Sequence, residues 1–328
     1  MTVLELSAAS ERWPLARPFA ISRGVKTEAH VVVVKLSCNG VAGVGECVPY
    51  ARYGETTGGV VAEINAVKGD LKNGLDNDGL QSLMKPGAAR NAVDCALWDL
   101  AAKKSGKRVW QLLGRSAPKP SVTAETIGID SIDNMACEAK KLSNAKLLKI
   151  KLGASDVIDR MQAVRDNAPN ARLVVDPNEA WTVAELMDYA PKLKIMGVEM
   201  IEQPVMANDD QGLRDYTSPV PICADEACHS SADLETLIGK YDMVNIKLDK
   251  TGGLTEALVL AERAQSLGFG IMIGCMVGTS LAMAPAMLIA DVASVIDLDG
   301  PLLLKNDRNP GLDFSNGLIH APEPNVWG

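Results

Sequence analysis

Histidine is scarce in this chain: His30, His229 and His320 are the only three among 328 residues. They stand far apart and form no HExxH, so zinc hydrolysis and Ser-His-Asp catalysis lack their parts. Positive charge is also in short supply. The 33 Lys and Arg are outnumbered by 41 Asp and Glu, for a net charge of -8, and no basic run with interleaved aromatics occurs. Nucleic acid is not an expected partner. No GxGxxG follows a strand-like run, and KTGG at 250–253 opens a helix without forming a Walker motif. The seven cysteines (Cys38, Cys47, Cys95, Cys137, Cys223, Cys228, Cys275) include no CxxC, which suits a reducing compartment. Charges and prolines break MTVLELSAASERWPLARPF too early for a secretory signal, so the reading is cytoplasmic. The charge-free stretch 264–290 carries four glycines and Pro285. It reads as a buried strand, a turn and a buried helix, and no membrane partner is expected.

What is present is periodic. Short β-branched runs recur from about residue 119, each closed by a polar residue or cysteine: Thr126, Lys151, Asp176, Glu202, Asp225, Lys247, Cys275 and Asp297, at intervals of 22 to 28 residues. Such a spacing holds one strand and a crossover, and eight units imply a (β/α)8-type barrel. Between them SIDNMACEAKKLS, ASDVIDRMQAVRDN, TVAELMDYAPKLK, SADLETLIGK and LTEALVLAERAQSLG place apolar residues three and four apart, as helices do. Residues 1–118 differ. HVVVVKLSCNG and GVGECVP alternate about an Asn39-Gly40 turn, and AARNAVDCALWDLAAKKSG is a helix with a glycine stop, which together describe an α+β cap. Residues 119–304 are the barrel, and 305–328 carry turn residues that suggest a tail returning to the cap.

The ends of barrel strands carry the chemistry. Asp176, Glu202 and Asp225 close three consecutive runs, and three carboxylates on one rim require a cation. Oxygen-only donors suit Mg2+, with Mn2+ as a substitute. Lys149 and Lys151 share one face of the strand before this arc, and Lys247 stands on the strand after it. Mutual repulsion is expected to lower the pKa of one lysine in the Lys149/Lys151 pair.

These motifs together, KIK, Asp176-x-Asn178, EQP at 202–204, ADE at 224–226, NIKLDKTGG and the Ala88–Gly106 helix, resemble the enolase superfamily in its muconate-lactonizing subgroup, nearly end to end. The resemblance implies a modified TIM barrel of (β/α)7β type with an α+β N-terminal capping domain. It also implies abstraction of a proton α to a carboxylate, with one Mg2+ on Asp176, Glu202 and Asp225 stabilising an enediolate. Lys151 and Lys247 would be the acid and base on opposite faces, as an isomerase needs, with Lys149 a supporting lysine. Within the subgroup, Asp297 and Asp299 in DLDGP look like the site by which dipeptide epimerases hold an α-ammonium. That likeness implies an Ala-Glu dipeptide inverted at the Glu α-carbon, in murein peptide metabolism. Arg23 is the candidate partner for the Glu side-chain carboxylate, Thr126 and Cys275 align with substrate-contacting strand ends, and Asn178 and Glu226 are supporting positions. One departure is Pro177, where a small residue is the norm. Other readings stay open: an N-acylamino acid racemase, a cycloisomerase or an o-succinylbenzoate synthase of the same subgroup, or, from another class, a Schiff-base lysine aldolase or a noncatalytic binding barrel. A homo-oligomer is also left open.

Overall fold

The computed structural model describes residues 4–328. The chain begins with an antiparallel sheet of β1 (Glu5–Ile21), β2 (Gly24–Cys38) and β3 (Val41–Cys47). The turn between β2 and β3 has both central residues at positive φ, Asn39 at 53° and Gly40 at 78°, as a primed hairpin turn demands. β1 is longer than its sequence suggests, because Pro14, Pro18 and scattered charges hide its period. The ladder absorbs them with a register shift between Pro14 and Phe19 and then resumes, pairing Phe19 with Lys26 and Ile21 with Gly24. Residues 17–27 are therefore mostly the end of a hairpin.

The helix Ala88–Ser105 lies across β3 on a face of Ala88, Ala92, Val93, Ala96 and Leu100. Gly43 and Gly45 permit this approach: a Cβ on Gly43 would sit 2.3 Å from the Ala96 carbonyl oxygen, and one on Gly45 2.2 Å from that of Ala92. The helix ends at left-handed Gly106.

After the short strand β4 (Ser121–Val122) come the eight barrel strands: β5 (Glu125–Ile127), β6 (Leu147–Lys151), β7 (Arg172–Asp176), β8 (Val198–Glu202), β9 (Ile222–Ala224), β10 (Met243–Ile246), β11 (Gly270–Ile273) and β12 (Val295–Ile296). They pair in parallel in chain order from β5 to β12, and the Ala124 N–H donates to the Ile296 carbonyl at 2.8 Å, joining the first edge to the last. Helices follow at Ile132–Lys141, Val157–Asn167, Val183–Ile195 and Leu254–Ser266, the first and third capped by Ser131 and Thr182. SADLETLIGK supplies less helix than its pattern suggests, only a 3-10 turn and the four residues Leu234–Leu237, because Ile238 and Gly239 leave helical geometry. β12 is followed only by a 3-10 turn, Gly300–Leu303, so the barrel is of the (β/α)7β type. Among the described residues no helix is long and apolar enough to cross a membrane.

Alternation along the strands divides the barrel. Leu148, Ile150, Leu173, Val175, Ile201, Val244 and Ile273 pack outward against helices, each burial contributing ~1.5–3 kcal/mol. Leu147, Val174, Met200, Cys223, Met243, Met272 and Val295 point inward and fill the barrel floor. The residues two and four positions beyond this floor are the polar ones. The tail pairs β13 (Phe314–Ser315) with β14 (Leu318–Ile319), and β14 with β4. It also reaches the N-terminal region: Arg308 contacts Glu46 at 2.7 Å and Glu11 at 2.6 Å, and the Trp327 indole donates to the Cys95 carbonyl.

Candidate active site

Counting two residues up from the inward floor of each strand gives Lys149, Asp176, Glu202, Asp225, Asn245 and Asp297, and four up gives Lys151, Lys247 and Asp299. A period of two thus carries a polar layer into a barrel whose outer face stays apolar. All nine are buried.

The carboxylates and ammonium groups interlock. Lys149 Nζ lies 2.6 Å from Glu202 Oε2, 2.7 Å from Asp297 Oδ2 and 3.2 Å from Asp176 Oδ2. Lys151 Nζ donates to Asp176 Oδ2 at 2.5 Å and to Asn178 Oδ1 at 3.2 Å. Lys247 Nζ donates to Asp225 Oδ2 at 2.6 Å and stands 3.7 Å from Glu202 Oε1. Asn178, left-handed at φ 50°, turns its N–H onto Asp176 Oδ1 at 2.9 Å; the preceding Pro177 leaves this contact intact.

Burial works against every charge here, and the partners decide the outcome. Burial is the largest single influence on Lys149 and pulls its pKa down, but Asp297, Glu202 and Asp176 outweigh it and hold the ammonium above its ordinary range. The expectation that mutual repulsion lowers one lysine of the pair does not hold for Lys149: three carboxylates face it, and their attraction dominates. Lys247 is raised in the same way by Asp225 and Glu202, against burial. Among the acids, burial pushes Asp176 up, but Lys151 and Lys149 prevail and bring it to about 2. Asp225 falls well below its usual value because Lys247 and Lys250 overcome burial. Glu202 goes the other way, raised by burial and then by Asp176. Its Oε2 accepts no hydrogen bond despite the nearby Lys149. Burial and the negative charge of Asp225 bring Glu226 to about 7, and burial with Asp297 brings Asp299 to about 7.

The remaining expected residues fall around this centre. Asp299 Oδ2 accepts the Thr126 N–H at 2.7 Å, so this pair joins the last barrel strand to the first, while Asp297 Oδ1 has no donor. Cys275 lines the central cavity of about 70 Å3 with Lys151, Asn178, Asp225, Glu226 and Lys247. Arg23, on the turn of the β1–β2 hairpin, closes it from above: Nη2 reaches Glu226 at 2.6 Å and Nη1 reaches Glu179 at 3.2 Å.

Several residues in the site were not picked out by sequence reasoning. Lys250, three residues beyond Lys247, is fully buried and donates to Asp225 Oδ1 at 2.6 Å, to the Asp225 carbonyl and to the Asn245 carbonyl. Asn245 Nδ2 donates to Glu202 Oε1 at 2.8 Å, and Gln203 Oε1 accepts the Asp225 N–H. A lysine and an amide inside an apolar run were the available signal, but KTGG drew attention to its glycines. Those glycines have a packing role. A Cβ on Gly252 would meet Arg90 Nε at 2.5 Å and one on Gly253 would meet Asp94 Oδ2 at 2.4 Å, so they are the seam between barrel and Ala88–Ser105 helix.

The oxygen donors suit a divalent cation in chemistry but do not converge as ligands. Among the described residues no three Asp, Glu, His or Cys side chains are gathered as an ion would hold them, because ammonium groups lie between the carboxylates. The chemistry nevertheless fits. Three buried carboxylates stand on consecutive strands, all donors are oxygen, and burial and Asp176 raise the pKa of Glu202, which an added positive charge relieves.

Two family models match the chain, "Mandelate racemase / muconate lactonizing enzyme, N-terminal domain" over residues 3–114 and "Enolase C-terminal domain-like" over 134–325. The L-Ala-D/L-Glu epimerase of Escherichia coli is 48% identical over 312 residues, covering 94% of this chain and 97% of that one. An N-acetyl-D-glutamate racemase from a Pseudoalteromonas species is 43% identical, covering 91% and 95%. A solved enolase family member from Agrobacterium tumefaciens, described as homologous to dipeptide epimerases and containing sodium and L-Ala-L-Glu, superposes with a TM-score of 0.97 at 50% identity, covering 99% of this chain and all of that one. By both family matches and by its eight-stranded parallel barrel, the chain belongs to the mandelate racemase/muconate lactonizing enzyme family of the enolase superfamily.

Proposed function

We propose that the protein is a Mg2+-dependent dipeptide epimerase that inverts the Glu α-carbon of L-Ala-D/L-Glu. One observation carries the reading. Lys151 on β6 and Lys247 at the end of β10 lie four strands apart in an eight-stranded barrel, on opposite sides of the cavity, and the three carboxylate strands fill the arc between them. Inversion needs a proton acceptor on one face of the α-carbon and a donor on the other. Starting from one stereoisomer, the neutral amine of one lysine takes the α-proton while the ammonium of the other delivers a proton to the opposite face. The two lysines exchange protonation states, and the reverse reaction runs them the other way. Lys149, held charged, keeps a fixed positive group beside the site.

Asp176, Glu202 and Asp225 would hold Mg2+, whose charge offsets the negative charge that develops on the substrate carboxylate as the α-proton leaves. Asp176 and Asp225, which pair with Lys151 and Lys247 here, would hold the ion in place of those ammonium groups, and Lys151 and Lys247 would face the substrate. Asp297, with an oxygen lacking a donor, and Asp299 are suited to a substrate α-ammonium; Cys275 lines the cavity, while Thr126 lines a neighbouring cleft together with Asp299. Asn178 and Glu226 support Lys151 and Arg23. All three relatives described above carry or act on a glutamate, which supports Glu at the inverted position. The N-acetyl-D-glutamate racemase favours a second reading, an N-acylamino acid racemase, but an acylated nitrogen offers no positive charge to the free oxygen of Asp297 or to Asp299. We further assign residues 1–118 to the cap, 119–304 to the barrel and 305–328 to a returning tail, with the enzyme working in the cytoplasm on murein-derived peptides.

The test is incubation of the protein with L-Ala-L-Glu, L-Ala-D-Glu or N-acetyl-glutamate in D2O, with and without Mg2+, followed by NMR of the Glu α-proton. Mg2+-dependent exchange and inversion of the dipeptides is the expected result. Turnover of N-acetyl-glutamate alone would replace the first reading by the second.

A further inference from the structure

Three carboxylates on three different strands act as one ligand set only if their strand ends are held at fixed distances from one another. Gln203 stands at that junction. It follows Glu202 directly, is fully buried, and has a left-handed backbone at φ 32°, which a residue with a side chain adopts only where its surroundings enforce it. Its main chain reaches both flanking strands. The carbonyl accepts the Glu179 N–H at 2.9 Å, in the turn after Asp176, and the N–H donates to the Cys223 carbonyl on β9 at 2.8 Å. Its side chain adds a second link to the third carboxylate: Oε1 accepts the N–H groups of Asp225 at 2.9 Å and Ala227 at 3.0 Å, while Nε2 donates to the Val205 carbonyl and to Tyr241 Oη, each at 2.9 Å. All four amide positions are filled, and two N–H donors at one end allow only one orientation of the amide. Behind it, Tyr241 donates to Asp210 Oδ2 at 3.0 Å, and Lys240 pairs with both Asp210 oxygens at 2.7 and 2.8 Å, all three residues being buried. Neither Gln203 nor Tyr241 lines the cavity, so the network acts on the site only through the carboxylate strands.

We infer that Gln203 is a positioning residue that fixes Asp176, Glu202 and Asp225 relative to one another for the cation, its amide held in place by Tyr241, which Asp210 and Lys240 brace. This rests on the cation site of the proposed reading and adds to it the residue that sets the spacing of the ligands. Loss of the amide frees the turn at Asp225 to shift while Glu202 stays on its strand, so affinity for the cation falls before the fold does.

Calorimetric binding of Mg2+ to the substrate-free protein reads the ligand spacing without any turnover. In Gln203→Met the length of the side chain remains and the amide is lost. Its Kd for Mg2+ is expected to rise by about tenfold to a hundredfold, as when a group that orients a metal ligand is removed. Tyr241→Phe takes away one hydroxyl, leaves the Lys240–Asp210 pair intact, and is expected to raise the Kd by about twofold to tenfold. Urea denaturation of the same proteins separates positioning from a merely structural role, which lowers stability and leaves the Kd where it was. An unchanged Kd in Gln203→Met overturns the inference, and where that variant fails to fold, Tyr241→Phe decides in its place. A wild-type protein that binds Mg2+ but inverts no dipeptide sinks the epimerase reading alone, and a raised Kd in the variant still supports Gln203. Wild type that binds no Mg2+ refutes both.

Discussion

Lys250→Met removes an ammonium that nothing else in the barrel replaces. Lys250 Nζ has three acceptors, Asp225 Oδ1 at 2.6 Å, the Asp225 carbonyl at 2.5 Å and the Asn245 carbonyl at 2.9 Å, and the side chain is 1% exposed. Deleting one member of a buried pair costs ~3–5 kcal/mol where the other is left alone, an upper bound here because Lys247 still donates to Asp225. A domain of ordinary stability, ~5–15 kcal/mol, survives that loss in weakened form. The cost has two parts: the vacated carbonyls and the loss of one of the two ammonium partners of Asp225, the other being Lys247. Asp225→Asn separates them, since it removes the charge and leaves both carbonyls in place. In a double-mutant cycle read by urea denaturation and far-UV circular dichroism, the double variant is expected to be more stable than the sum of the single losses by ~1–3 kcal/mol. The choice of Met keeps the volume of the stem, so cavity formation adds little to either corner. A coupling below ~0.5 kcal/mol would refute the reasoning, because Asp225 would then be no worse off without Lys250.

Lys151→Ala and Lys247→Ala are each expected to abolish epimerisation while leaving α-proton exchange from one stereoisomer, a different one for each variant; full activity in either would end the two-base scheme. Asp249 is buried, accepts the Val48 N–H and Asn91 Nδ2 on one oxygen, and is brought by burial to about 7. Its folded pKa lies above the unfolded value of ~3.9, so the folded chain holds this proton longer, and stability falls as pH rises from about 4 to 7. Asp249→Asn is therefore expected to gain in melting temperature relative to wild type as pH rises through that window, and a constant difference would show that Asp249 does not titrate there. Gly45→Ala is expected to weaken the cap strongly, seen as loss of cooperative thermal unfolding or a large drop in melting temperature, because its Cβ would meet the Ala92 carbonyl at 2.2 Å.

Legibility in the sequence followed the range of the interaction involved. The barrel strands were readable because each is a local apolar run closed by a polar residue, and the Ala88–Ser105 helix because its period and Gly106 stop are local. β1 was not, because Pro14 and Pro18 disrupt the pattern and only pairing with β2 restores it. Arg23 was readable as a cation near the site, but not that Glu226 and Glu179, more than 150 residues away, already hold it.

The KIK run shows where the division falls. Alternation alone places Lys149 and Lys151 on one strand face, and the order of strand-end residues alone places Asp176, Glu202 and Asp225 between them and Lys247. Which charge prevails is a property of the assembled barrel. Lys149 keeps its proton because Asp297, from the far end of the chain, closes on it together with Glu202 and Asp176. Lys250 acquires its meaning in the same way, by burial against Asp225. Sequence order determines which groups each strand offers, because strand geometry is local; pKa and pairing depend on distance and burial, and only the closed tertiary structure decides those.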